Sequence, residues 1–213
     1  MTYLRYPHLH GELVAFVAQD DIWLAPTDGT STRAWRLTSD VAKVTSPRFS
    51  RDGTRLAWTS WRDGNPEVYL TDVAGSAATR LTYWGDDHTS VLGWTEQDEV
   101  LATTAAGQPD THFTWAYAIP PGGEPRRLPY GPVNDLAVSG QVAVISEGRF
   151  EREPAYWKRY RGGTAGRVWT AASGAPFTRI LADLPGQLTG AMLVAGRVVF
   201  TSDHEGKIGR AHV

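Results

Sequence analysis

The sequence contains no cysteine among its 213 residues, and that single absence removes disulfides, thiolate metal sites and a cysteine nucleophile together. No stretch approaches the ~18 consecutive apolar residues of a membrane-spanning helix. The N-terminal Met1-Thr2-Tyr3-Leu4-Arg5-Tyr6-Pro7-His8 likewise lacks the apolar core of a secretory signal. Charge of one sign is missing too. With 21 Lys and Arg against 23 Asp and Glu, the net charge of −2 gives no pull toward nucleic acid or an anionic membrane surface. Sustained helical periodicity is absent, since Gly and Pro interrupt every candidate helix, and this argues against alternating strands and helices. The expectation is a soluble, cytoplasmic chain with no nucleic-acid partner, no membrane partner and no cofactor.

What is present suits strands. Nine Trp and eight Tyr supply broad, rigid side chains for pleated, half-buried surfaces, while 22 Gly and 13 Pro supply turns. The clearest unit starts at Ser46-Pro47-Arg48-Phe49-Ser50-Arg51-Asp52-Gly53 and continues through Leu56-Ala57-Trp58-Thr59. Trp61-Arg62-Asp63-Gly64, Val68-Tyr69-Leu70 and Thr79-Arg80-Leu81-Thr82 complete it. Asp52-Gly53 and Asp63-Gly64 offer the positive φ angles of tight hairpin turns, and the residues between them alternate with the two-residue period of a strand. The unit reads as an antiparallel meander.

Its pieces recur. An apolar strand, taken as the innermost of each unit, starts five times: Leu13 to Val17, Leu56 to Thr59, Val100 to Thr103, Val142 to Ile145 and Val198 to Thr201. An aromatic strand follows in four copies, carrying Trp23, Tyr69, Tyr117 and Trp169, which recurrence at the structural period assigns to the core rather than to a ligand cage. Closing segments repeat as Arg36-Leu37-Thr38, Arg80-Leu81-Thr82, Arg127-Leu128-Pro129 and Arg179-Ile180-Leu181. The spacing predicts an all-β β-propeller of four-stranded antiparallel blades at 4–40, 41–83, 88–131 and 133–183, with part of a fifth at 188–213. Blades bury their faces against neighbours, so four and a half are expected to be a fragment of a six-bladed ring.

Phe49-Ser50-Arg51-Asp52-Gly53 with Leu56-Ala57-Trp58 resembles the WD40-like repeat shared by TolB propellers and several peptidase propellers, with Arg51 in place of the usual proline. Two further stretches are more specific. They are Tyr6-Pro7-His8-Leu9-His10-Gly11-Glu12 through Asp20-Asp21-Ile22-Trp23, and Tyr156-Trp157-Lys158-Arg159-Tyr160-Arg161-Gly162-Gly163-Thr164 with Gly166-Arg167-Val168-Trp169. Both resemble the N-terminal six-bladed propeller of the tricorn protease family. The resemblance implies a parent cytoplasmic serine peptidase that degrades oligopeptides and assembles as a homo-hexamer. It also implies that the nucleophile and its histidine lie in later domains, after a second propeller and a PDZ-like domain. On that reading this chain guides or filters peptides, its partners are oligopeptide substrates and the remaining domains of the same protease, and no residue here is catalytic. The family also implies basic residues that engage a peptide's terminal carboxylate, expected near Asp86-Asp87-His88-Thr89-Ser90. That loop carries no arginine pair, and the contact is not carried over. The competing reading is a free-standing TolB-like propeller that binds a partner protein.

The residues themselves add little catalytic promise. His8, His10, His88, His112, His204 and His212 are accompanied by no Gly-x-Ser-x-Gly elbow. Asp86-Asp87-His88 and Asp203-His204-Glu205 gather metal-capable side chains, but consecutive strand residues point to opposite faces, so both read as polar turns and no metal site is expected. The fourth-unit insertion holds Glu151-Arg152-Glu153 and the candidate contact residues Trp157, Lys158, Arg159, Tyr160 and Arg161. Two readings stand for it. In one it lines a peptide channel or meets another domain, with Arg on a carboxylate and Trp stacking; in the other it is a rim loop held by local ion pairs.

Overall fold

The computed structural model describes residues 3–29, 33–111, 113–140, 142–147, 165–172, 174–205 and 209–212. Every regular element among them is a β-strand. The first sheet comprises β1 (Arg5–His10), β2 (Leu13–Ala18), β3 (Asp21–Pro26) and β4 (Trp35–Arg36), paired in that order. The second comprises β5 (Val44–Phe49), β6 (Arg55–Ser60), β7 (Glu67–Asp72) and β8 (Thr79–Arg80). β9 (Ser90–Trp94), β10 (Val100–Thr104), β11 (Trp115–Ile119) and β12 (Arg126–Pro132) form the third. The fourth holds β13 (Asp135–Ser139), β14 (Val142–Glu147), β15 (Arg167–Ala172) and β16 (Thr178–Ile180). A three-stranded sheet of β17 (Leu188–Val194), β18 (Arg197–Ser202) and β19 (Gly209–His212) follows. Four antiparallel four-stranded meanders and a fifth sheet are the elements of a β-propeller.

The chain divides into two compact units, Met1–Thr111 with Tyr117–Leu128, and His112–Ala116 with Pro129–Val213. Strand alternation explains how each packs. In the first unit Leu56, Trp58 and Tyr69 of the second sheet join Ala15, Val17, Ile22 and Leu24 of the first. The intervening residues Ala57 and Val68 turn to the other face and meet Val91, Val100 and Ala102 of the third sheet. A middle sheet is therefore apolar on both faces, and Leu56, Ala57 and Trp58 of its second strand are all fully buried. In the second unit Val144 and Val168 pack with Leu188, Ala191 and Phe200.

This geometry corrects one expectation. The apolar strand taken as innermost is the second of each sheet, flanked on both sides; β2 lies between β1 and β3, and β6 between β5 and β7. In the first unit the first strands β1, β5 and β9 make the closest inter-sheet approach. Each of these first strands carries a bulge. The pairing register shifts between Arg5 and His8 in β1, between Thr45 and Arg48 in β5, opposite Leu101 and Ala102 in β9, and between Thr189 and Met192 in β17. In β1 and β5 the bulge falls on an X-Pro step, with Tyr6 at φ 52° and Ser46 at φ 54°. A bulge bends its strand and increases its twist, which suits the strand where neighbouring sheets crowd together.

The turn at Asp52-Gly53 has the expected positive φ, 74° at Gly53; residues 50–54 connect β5 to β6, with Ser50 Oγ and Thr54 N both donating to Asp52 Oδ1, at 2.6 and 3.0 Å. The aromatic set also divides. Tyr69 is buried, whereas Trp23, Tyr117 and Trp169 are half-buried.

Candidate functional site

The recurring Arg-Leu-Thr segments acquire a chemical reason in the first unit. Glu67 opens β7 with none of its residue surface exposed. Its Oε2 accepts from Thr82 Oγ at 2.5 Å, and its Oε1 accepts from Arg80 Nη2 at 3.1 Å and Gly85 N at 2.8 Å. Thr82 Oγ in turn accepts the Val68 N–H at 2.9 Å. The same device stands at the start of β3. Thr38 Oγ donates to Asp21 Oδ1 at 2.9 Å and accepts from Ile22 N at 3.0 Å, while Arg36 Nη1 reaches Asp21 Oδ2 at 3.4 Å. In the first and second sheets a buried carboxylate thus latches the segment running past the outer strand, with its charge met by an arginine and its lone pairs by hydroxyl or amide donors. The third and fourth sheets keep the arginine but carry Trp115 and Arg167 at the acid's position.

A polar cluster extends from this latch. Tyr69 Oη donates to Asp63 Oδ2 at 2.5 Å and Arg80 Nη1 approaches the same oxygen at 3.3 Å. The Tyr69 hydrogen bond holds the Asp63 carboxyl below its ordinary range, and burial with the Asp63 bond pushes the Tyr69 phenol up. Arg80 also stacks over Tyr83 at 4.2 Å, as Lys43 does over Trp61. Arg80, Tyr83, Trp84, Glu124 and Pro125 help line an open groove of about 390 Å³ between the end of the second sheet and the β11–β12 turn.

The sequence-predicted polar turns are structural. Asp86 Oδ2 accepts from Thr104 Oγ and from Ala105 N, both at 2.8 Å, and its Oδ1 lies 3.3 Å from His88 Nδ1. These bonds fasten the loop before β9 to the end of β10. In the second unit Asp203 Oδ1 accepts from Gln187 N at 2.8 Å, and Ser202 Oγ accepts from His204 N at 3.2 Å. Ser60 Oγ and Arg62 N repeat the latter turn in the second sheet. No group of three metal-capable side chains converges among the described residues. Trp157, Lys158, Arg159, Tyr160 and Arg161 lie outside the described residues.

Two residues matter more than sequence reasoning allowed. His8 and His10 alternate on β1 and so share one face. Phe49 N donates to His8 Nδ1 at 3.2 Å, and His10 Nε2 lies 3.0 Å from Arg51 O. Burial, then Arg48 and His10, lower the His8 imidazole to about 4. The i, i+2 spacing of two histidines on a strand was the available signal. No helix is long and apolar enough to cross a membrane.

Comparison with known proteins places this arrangement. The profile of the tricorn protease N-terminal beta propeller domain matches residues 1–210. Tricorn protease homolog 1 of Streptomyces coelicolor is 50% identical over 207 residues, covering 96% of this chain and 19% of that protein. The tricorn protease homolog of Saccharolobus solfataricus is 31% identical over 210 residues, covering 96% of this chain and 19% of the relative. A crystal structure of the tricorn protease superposes with a TM-score of 0.87 at 23% identity, covering all of this chain and 21% of that one. The chain spans about a fifth of the length of these relatives. It belongs to the tricorn protease N-terminal β-propeller family.

Proposed function

We propose that the chain is the non-catalytic, peptide-guiding propeller segment of a cytoplasmic tricorn-type serine peptidase that degrades oligopeptides and works as a homo-hexamer. The family profile over residues 1–210 carries this reading, since the matched domain is the N-terminal propeller of proteins about five times longer. The polar clusters agree with it. Asp86, Glu67 and Asp21 each spend their oxygens on hydroxyl, amide or guanidinium donors that hold strands and loops in place. Blades at 4–40, 41–83, 88–131, 133–183 and 188–213 form the scaffold, and the insertion presents Trp157, Lys158, Arg159, Tyr160 and Arg161 to a passing peptide or to a neighbouring domain. Arginine binds a carboxylate through paired hydrogen bonds and tryptophan offers a stacking face.

The test compares fluorogenic peptides of different length. The isolated chain is expected to turn over none of them. Deleting residues 1–213 from the full-length protein is expected to spare a minimal chromogenic amide while lowering kcat/KM for longer oligopeptides several-fold. Turnover by the isolated chain that a serine-directed inhibitor abolishes, or equal loss on short and long substrates, contradicts the reading.

A further inference from the structure

The joint between β1 and β5, within the first unit, is built on two imidazoles. The Phe49 N–H donates to His8 Nδ1, which fixes that nitrogen as an acceptor and places the ring proton on Nε2. His10 binds the opposite way, donating from Nε2 to Arg51 O. Both rings lie against Phe49, with centroids 5.8 and 6.0 Å from its ring. The His10 ring also rests on the turn itself, because a Cβ on Gly53 would stand 2.3 Å from His10 Nδ1. One first strand is therefore held to the next through side-chain nitrogens as well as through packing.

We infer that this joint is acid-sensitive, and that a proton on His8 Nδ1 releases β1 from β5. Protonation turns the acceptor into a donor facing the Phe49 N–H, so the bond is lost and two N–H groups are opposed. The charged and titratable groups around the ring do not favour the cation. Arg48 of β5 and His10 of β1 both oppose it. Arg5 lies further along β1 and is paired with Asp20. On the adjoining turn, Arg51 is paired with Glu96, and the Asp52 carboxylate is taken by Ser50 and Thr54. His8 is therefore held neutral down to about pH 4, against 6.5 for a free imidazole. Opening the joint restores the ordinary affinity, so opening takes up one proton between those limits. As pH falls through that window the open population rises about tenfold per unit, or roughly 300-fold in all. The first sheet is then the part of the first unit that acid loosens ahead of the rest.

Amide hydrogen exchange on the intact chain between about pH 4 and 7.5, corrected for intrinsic rates, tests this. Protection of the Phe49 amide and of the β1–β2 amides is expected to fall about tenfold per pH unit below 6.5, while β9–β10 amides keep theirs. His8→Asn places Oδ1 where Nδ1 accepts and cannot titrate, so its Phe49 protection is expected to be flat with pH; His10→Asn keeps the slope. Phe49 protection independent of pH in the unaltered chain, or an unchanged slope in His8→Asn, overturns the inference. Should His8→Asn fail to fold, the ring shifts of His8 in the unaltered chain decide: a midpoint near 4 supports the joint, and one near 6.5 overturns it.

Discussion

Thr82 Oγ donates a 2.5 Å hydrogen bond to Glu67 Oε2 and at the same time accepts the Val68 N–H, so one hydroxyl ties the segment after β8 to two consecutive residues of β7. Thr82→Val leaves a carboxylate lone pair and the Val68 amide without partners. It is expected to cost about 1–3 kcal/mol in urea unfolding. Glu67→Ala is expected to cost more, about 3–5 kcal/mol, because Arg80 and the Gly85 amide lose the charge they were arranged around. Thr38→Val in the first sheet should behave as Thr82→Val does, since Asp21 and Ile22 use Thr38 in the same two ways. A Thr82→Val protein as stable as the parent contradicts the latch.

Gly53 and His10 are coupled through space. The glycine sits at φ 74°, where a side chain is strained, and the space a Cβ would take is filled by the His10 ring. Gly53→Ala is expected to destabilise by roughly 2 kcal/mol, of which about half comes from left-handed backbone strain. In a His10→Ala background only the backbone part remains, so the double-mutant cycle should show a coupling of about 1 kcal/mol. Strict additivity contradicts the contact.

Asp52 provides a second acid-side test, below the range in which His8 titrates. Hydrogen bonds from Ser50, and then from the Thr54 amide and hydroxyl, lower its carboxyl from 3.8 to about 2. Because the folded value is depressed, the stabilisation is complete above 3.8 and is lost as pH falls through about 2. Carboxyl carbon shifts should give Asp52 a midpoint near 2, rising toward 3.8 in Ser50→Ala. An unchanged midpoint in that variant rejects Ser50 as the main cause.

How much of this was legible in the sequence depends on the range of the signal. Alternation within Leu56-Ala57-Trp58-Thr59 gave the strand and its two faces, because side-chain direction is local. The same run misled about position. The second strand is flanked on both sides within its own sheet, while first strands such as β5 spend residues such as Ser46-Pro47 on a bulge that has no hydrophobic signature. The Arg-Leu-Thr segments were visible as a repeat, but their acid partners were not. Glu67 stands 15 residues from Thr82, Asp21 stands 17 from Thr38, and one is Glu where the other is Asp. The joint made by His8 and His10 was not legible because their partners, the Phe49 amide and the Arg51 carbonyl, are backbone groups 41 residues away that leave no mark on side-chain identity. The candidate contacts Trp157 to Arg161 were drawn from a family-specific insertion and lie outside the described residues.

The account rests on this chain being the propeller segment of a longer peptidase, and reading the coding sequence downstream of the Val213 codon tests that most directly. The predicted result is an open frame that continues into a second propeller, a PDZ-like domain and a segment carrying the nucleophilic serine. A natural stop codon at that point, with no such segments in the gene, contradicts the account.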